Sequence, residues 1–167
     1  MYGEKSWEKA ECKMLEGAME KALQRAELTK EEIDIMLSGD LLNQIMSSSF
    51  TARNLHIPFL GLYGACSTMT ESMLVGSMLI DGGFAGTILA GASSHFCTAE
   101  RQYRAPLELG NQRTPTAQWT VTGAGAVMLA GGEQAKHAGA VLTHATCGRV
   151  IDLGISDANN MGAAMAP

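Results

Sequence analysis

The chain has 167 residues, a formal net charge of −5 and no run of Lys or Arg, which argues against a nucleic-acid-binding surface. Hydrophobic residues make up 46% of the chain and charged residues 17%, a composition typical of one close-packed globular domain. No apolar stretch approaches the roughly 20 residues that span a bilayer, and no apolar signal region opens the chain, so we expect a soluble chain of the cytoplasmic type. The four cysteines form no C-x-x-C pair, so we expect reduced thiols and no zinc.

The first part of the chain alternates between helical and strand-like patterns. Residues 7–27 carry apolar side chains at three- and four-residue steps, which predicts an amphipathic helix, and Thr29 begins a capping box. Residues 33–38 then predict a short strand and residues 41–55 a second helix. The apolar run 59–63 predicts a strand that is buried on both faces.

The second part continues the alternation and ends in strands. A helical pattern runs from Cys66 to about residue 80, and residues 86–92 predict a strand. Residues 98–115 are polar and rich in turn formers, with room for a short helix. Two β-like runs, 121–130 and 140–146, are expected to pair as an antiparallel edge. Strands that alternate with helices in this way predict an α/β fold with a mixed, mainly parallel sheet flanked by helices.

Cys66 stands where a buried strand gives way to a helix, directly after Gly-Ala. The unpaired N–H groups and the dipole at a helix N-terminus favour an anion, and the same geometry favours a thiolate. Three interpretations stay open: a nucleophile, a residue of a cradle for a carboxylate ligand, or a small buried side chain that packs the junction.

Segments along nearly the whole chain carry a family resemblance. They include Gly-Asp-Leu-Leu-Asn-Gln (39–44), Ile-Pro-Phe-Leu (57–60), Gly-Ala-Cys-Ser-Thr (64–68), Ser-Ser-His (93–95) and Thr-Ala-Glu-Arg-Gln (98–102), together with residues 79–85, 121–127, 148–152 and 161–167. In these segments the chain resembles the stage V sporulation protein AD family of the thiolase-like superfamily. Gly-Ala-Cys-Ser-Thr alone would indicate only a thiolase-like protein.

The resemblance implies a duplicated thiolase fold with two βαβαβαββ halves, of which residues 1–167 would form the N-terminal half without its first strand. It implies a protein that binds dipicolinic acid (pyridine-2,6-dicarboxylate), with calcium as a candidate companion ion, and that helps to load it into the developing spore. No cofactor is expected. The implied partners are a second thiolase half or a further copy of the chain, and other spore dipicolinate-transport proteins. The implied location is peripheral to the spore inner membrane.

Four residues are candidates for the ligand site. Cys66, Asp40 and His95 would line the pocket, and Arg101 could pair with a carboxylate. Each has a structural alternative: Asp40 could cap the helix that follows it, His95 could be a hydrogen-bonded structural residue, and Arg101 could anchor its own loop.

Two other functional interpretations remain. In one, the chain is half of an acyl-CoA-dependent thiolase or ketoacyl synthase, and Cys66 is the acylated nucleophile. In the other, it is an inactive half that exposes an apolar face and pairs with itself or with a second half.

Overall fold

The computed structural model describes residues 2–41, 45–103 and 120–156. Its helices are α1 (Trp7–Ala26), α2 (Met46–Leu55), α3 (Thr68–Asp81) and α4 (Phe96–Tyr103). Its strands are β1 (Ile35–Asp40), β2 (Phe59–Gly61), β3 (Thr87–Ser94) and β4 (Gly123–Ala130). The four strands form one sheet in the order β2-β1-β3-β4. β1 pairs in parallel with β2 and β3, while β4 runs antiparallel to β3, so the predicted α/β fold with a mixed, mainly parallel sheet is confirmed.

Local signals explain the long helices. Ser6 caps α1 by accepting a hydrogen bond from the N–H of Lys9, and the residue after the helix, Glu27, adopts the left-handed conformation that ends it. The capping box at Thr29 is present and opens a 3₁₀ turn. A second 3₁₀ turn, Ala65–Ser67, leads into α3. The predictions for these segments are confirmed to within a few residues.

Apolar packing sandwiches the sheet between α1 and α2 on one side and α3 on the other. On the first side, Leu15 and Met19 of α1 pack with Met36 of β1 and Leu89 of β3 in a buried apolar cluster. Across the sheet, Gly76 lets α3 lie close to the strands, since an added Cβ there would come 2.6 Å from Leu129 and 3.4 Å from Leu37. Each strand therefore presents alternate residues to the two faces.

Three sequence predictions differ from the structure. The strand at 59–63 is shorter and forms an edge of the sheet, so Leu60 is exposed rather than buried on both faces. The predicted strand at 140–146 is wrong, because residues 138–156 pair with no strand and their side chains are exposed. The antiparallel partner of β4 is β3 instead. The helix expected at 41–55 begins at Met46, since Leu41 continues the hydrogen bonding of β1 by donating to Ser93; residues 42–44 lie outside the described range.

Candidate functional site

The carboxyl ends of β1 and β3 lie side by side, and this edge carries the predicted site residues. Asp40 is in register with Ser93, and His95 follows β3 directly. Parallel α/β sheets bind ligands at this edge. Because strand residues alternate between faces, Asp40, Ser93 and Met36 point toward α1 and α2, whereas Gly39 faces α3.

On the α1 face, Asp40 is fully buried and capped onto α2. Its Oδ2 accepts hydrogen bonds from the backbone N–H of Ser48, at 3.1 Å, and from the hydroxyl of Ser48, at 3.4 Å. This N–H is one of the orphan donors in the first turn of α2, so Asp40 performs the capping role from eight residues upstream. The carboxylate therefore lies inside the protein and not in an open pocket.

Glu11 of α1 occupies the same buried region. It is 0% exposed; Ser93 Oγ lies 2.9 Å from its Oε1 and Thr98 Oγ1 lies 3.0 Å from its Oε2. Burial raises the pKa of Glu11, and the neighbouring Asp40 acts in the same direction. Sequence reasoning missed this residue. The available signal was its spacing, since Glu11 lies four residues before Leu15 and eight before Met19, on the apolar stripe of α1.

His95 is also largely buried on this side. Its Nδ1 accepts a hydrogen bond from the backbone N–H of Cys97 at 3.2 Å, which stabilises the start of α4. Burial lowers the pKa of His95, which favours the neutral imidazole. A ring that accepts at Nδ1 from the backbone orients the chain after β3, and its lowered pKa disfavours the positive charge that would pair with a carboxylate.

On the α3 face, the same edge is built from small residues. Cys66 is exposed within the 3₁₀ turn before α3. The turn is held by Ser67 N–H donating to the carbonyl of Gly64 at 2.9 Å and by Thr68 Oγ1 donating to the carbonyl of Ala65 at 2.9 Å. Ala65 has a φ of 50°, a left-handed conformation that a non-glycine residue adopts at some energetic cost. The chain is thus bent sharply just before Cys66, and the thiol is left at the surface.

Glu71 brings negative charge to this turn. It lies in the first turn of α3, and its Oε2 would be 2.6 Å from a Cβ placed on Gly64. This oxygen is buried and makes no hydrogen bond within the described part of the chain. An anionic ligand at the start of α3 would therefore meet a carboxylate as well as helix N–H groups.

A groove of about 360 Å³ runs along α3 from this turn. One wall is the flank of α3 that begins at Ser67, and the other is the segment 142–148, which contributes His144 and Cys147 to the lining. A second groove, of about 640 Å³, lies between α1 and α2 and is lined by charges of both signs.

The structure thus places Asp40 and His95 at the same edge of the sheet. The Asp40 side chain points to the α1 face, whereas Cys66 lies at the start of α3 on the opposite face. Arg101 belongs to α4, but its side chain lies outside what the structure describes.

Among the described residues, no group of three or more His, Cys, Asp and Glu side chains is placed to hold a metal ion. No helix of the described ranges is both long enough and apolar enough to cross a membrane.

Comparisons with known proteins agree with this architecture. The sequence profile of a family described as stage V sporulation protein AD matches residues 1–167. The stage V sporulation protein AD of Bacillus subtilis (strain 168) is 52% identical over 165 residues; these cover 98% of this chain but 47% of that protein. The chain therefore spans about half the length of this curated relative.

Solved structures resemble the chain in fold. A 3-oxoacyl-[acyl-carrier-protein] synthase III from Aquifex aeolicus VF5 superposes with a TM-score of 0.54 at 19% identity, over 73% of this chain and 39% of that one. The corresponding synthase III from Pseudomonas aeruginosa PAO1 gives a TM-score of 0.53 at 21% identity, over 75% and 38%. At these identities the likeness shows a thiolase-like fold.

Proposed function

The chain belongs to the stage V sporulation protein AD family, and from that membership we propose that it is a non-catalytic, thiolase-like protein that binds dipicolinic acid for uptake into the developing spore. Dipicolinate is an aromatic ring with two carboxylates. A site for it needs donors for the carboxylates and an apolar surface for the ring.

The observation that carries the proposal is the position of Cys66. The exposed thiol lies beside the first turn of a 14-residue helix, at the carboxyl edge of the sheet. The N–H groups of such a turn suit one ligand carboxylate. The groove along α3 has the apolar side chains of Met73 and Leu74 for a ring. Asp40 and His95 then act indirectly, because they hold α2 and the start of α4 in place from the other face.

Calcium belongs in this proposal because of Glu71. An ionised Glu71 beside Gly64 would repel a dianionic ligand, and a divalent cation between them would reverse that repulsion. Calcium prefers oxygen ligands from carboxylates, which both the protein and dipicolinate provide.

Calorimetric titration of dipicolinate into this chain, with and without calcium, tests the proposal. We expect calcium to tighten binding, and Glu71→Gln to reduce that dependence, since the substitution removes the charge but keeps the shape. Glu133→Gln, at an exposed position that does not line the groove along α3, is the matched control. No heat of binding under either condition would contradict the proposal.

The acyltransferase alternative draws on the sharp bend at Ala65, because a strained turn beside a cysteine is also a way to present a nucleophile. Incubation with an acyl-CoA followed by intact-mass measurement separates the two. The binding proposal predicts an unmodified chain, whereas an added acyl group that disappears in Cys66→Ala would favour the enzyme.

A further inference from the structure

The hydroxyl of Thr98 lies between two acceptors. Its Oγ1 is 2.8 Å from the carbonyl oxygen of His95 and 3.0 Å from Oε2 of Glu11. A threonine hydroxyl has one hydrogen to donate. If Glu11 were ionised, Oε2 could only accept, and one of the two contacts would have no hydrogen. If Oε2 carries a proton, Glu11 donates to Thr98 while Thr98 donates to His95, and both contacts are satisfied.

The other oxygen of Glu11 fits the same assignment. Ser93 Oγ lies 2.9 Å from Oε1 and can donate to it, as the carbonyl oxygen of a carboxylic acid requires. The side chain is 0% exposed, so water cannot supply the missing partner of an ionised group. Protonated Glu11 therefore links α1 to the end of β3 and to α4. In this arrangement the hydroxyls of Ser93 and Thr98 and the protonated carboxyl of Glu11 each donate one hydrogen bond.

The charges around Glu11 favour the same form. Asp40 at the end of β1 and Glu8 on α1 itself are carboxylates that raise the pKa of Glu11 in addition to its burial, while the Ser93 and Thr98 hydroxyls act against them. Burial lowers the pKa of His95 after β3, which favours its neutral form.

Among the described side chains of the other elements around α1, no group supplies a compensating positive charge to Glu11. On α2, Arg53 acts on the thiol of Cys12. β4 is Gly-Ala-Gly-Ala-Val-Met-Leu-Ala and has no titratable side chain. On α4, the side chains of residues 100–103 lie outside the described set.

We propose that Glu11 is a protonated carboxylic acid in the folded protein across the pH range in which exposed glutamates are ionised, and that its deprotonation loosens α4 from α1 and β3. The proposal is independent of dipicolinate binding. It makes the attachment of α4, the helix to which Arg101 belongs, sensitive to pH.

The direction of the pH effect follows from linkage. A carboxyl group whose pKa is raised on folding contributes stability that is complete below its ordinary value, 4.5 for glutamate, and that is lost as the pH rises through the folded-state pKa. In that interval, one proton changes the unfolding equilibrium constant by up to about tenfold per pH unit.

Glu11→Gln is the direct test, because the amide keeps the shape and a donor toward Thr98. The test compares the free energy of unfolding of the two proteins, obtained by urea unfolding from pH 5 to pH 8. We expect Glu11→Gln to be more stable than the wild type at pH 8, and to lose the fall in stability that the wild type shows as the pH rises. Glu20→Gln, at an exposed position on the same helix, should leave the pH dependence unchanged. A Glu11→Gln protein that is less stable at every pH, with an unchanged slope, would overturn the proposal.

A measurement on the wild type avoids dependence on the variant's folding. Carbon-13 NMR of the glutamate carboxyl groups gives one titration curve per residue. The Glu11 carboxyl is expected to titrate above the ordinary glutamate value of 4.5. A Glu11 carboxyl that titrates at or below that value would show that it is ionised in the fold and would overturn the proposal.

Discussion

The two faces of the sheet differ sharply at the carboxyl edge. On the α1 face, Glu11, Asp40 and His95 are buried and their hydrogen bonds go to neighbouring elements of the same chain. On the α3 face, Gly39 lets β1 lie close to the backbone of Leu62, Gly64 lies against the side chains of Ser67 and Glu71, and Cys66 is exposed. One face uses its polar groups to hold the fold, and the other leaves its thiol available.

This difference separates residues that the sequence places together. Asp40 and His95 are within the region where α/β proteins bind ligands, and both side chains are buried with hydrogen-bond partners inside the chain. Their contact with a ligand stays a prediction. A residue near a ligand edge must therefore be assigned to a face before it is assigned a role.

The largest effect on stability is expected from Gly39→Ala. A Cβ at this position would overlap the carbonyl oxygen of Leu62 and lie 2.7 Å from Thr68 Cγ2, so β1 would have to move away from α3. Urea unfolding should show a loss of about 3 kcal/mol. Gly17→Ala on the exposed side of α1 has open space around it and should instead gain about 0.5–1 kcal/mol. A neutral Gly39→Ala would mean that the α3 face is not closely packed at this edge.

A smaller loss is expected from Asp40→Ala. The substitution leaves the buried N–H of Ser48 without its acceptor. We expect about 2 kcal/mol of destabilisation. Asp81→Ala, at the exposed end of α3, is the control and should stay within about 0.5 kcal/mol. An equal loss of unfolding free energy in the two variants would show that Asp40 does not cap α2.

Asp34 extends the comparison to the opposite end of β1. It accepts hydrogen bonds from the N–H groups of Gly86, at 2.7 Å, and Thr87, at 3.0 Å. The Thr87 N–H, followed by that of Gly86, lowers the pKa of Asp34. Its contribution is therefore present above the ordinary value of 3.8 and is lost as the pH falls through the folded-state pKa, the reverse of Glu11.

Because Asp34 is exposed, solvent screens its charge, and Asp34→Asn should lower the free energy of unfolding by only about 1 kcal/mol at neutral pH. Unfolding measured from pH 2 to pH 7 should show the wild type and the variant converging at the acid end. A difference that persists unchanged at pH 2 would mean that the Asp34 charge plays no part. Glu31→Gln, exposed nearby, is the control.

The smallest change in stability is expected from Cys66→Ala. An exposed side chain has few contacts to lose, so the free energy of unfolding should stay within about 0.5 kcal/mol. Cys12→Ala should cost more, about 1 kcal/mol, because that thiol is half-buried and contacts Thr51. A Cys66→Ala variant that unfolds would show that the thiol packs the junction instead of facing solvent.

Local patterns were enough to predict most of the fold. The spacing of apolar residues on α1, its cap at Ser6 and the capping box at Thr29 all depend on residues a few positions apart. Whether a strand lies at an edge or pairs at all depends on distant partners. For this reason the burial of Leu60 and the strand expected at 140–146 were wrong.

The site was less predictable for the same reason. Its location at the carboxyl ends of β1 and β3 follows from chain order, and alternation along β1 shows that Gly39 and Asp40 face opposite ways. The sequence does not show which helix covers which face. Glu11 was missed because the role of a charged residue at an apolar helix position depends on its hydrogen-bond partners. For Glu11 these are Ser93 and Thr98, which are 82 and 87 residues away in the sequence.

Dipicolinate titration of two variants tests most directly whether the ligand binds on the α3 face of the sheet and not on the α1 face. With calcium present, Cys66→Ala should weaken binding by about tenfold, the loss of one contact worth about 1.4 kcal/mol, and folded Asp40→Asn should bind within about twofold of the wild type. Undiminished binding by Cys66→Ala together with loss of binding in Asp40→Asn would put the ligand on the α1 face and contradict the account.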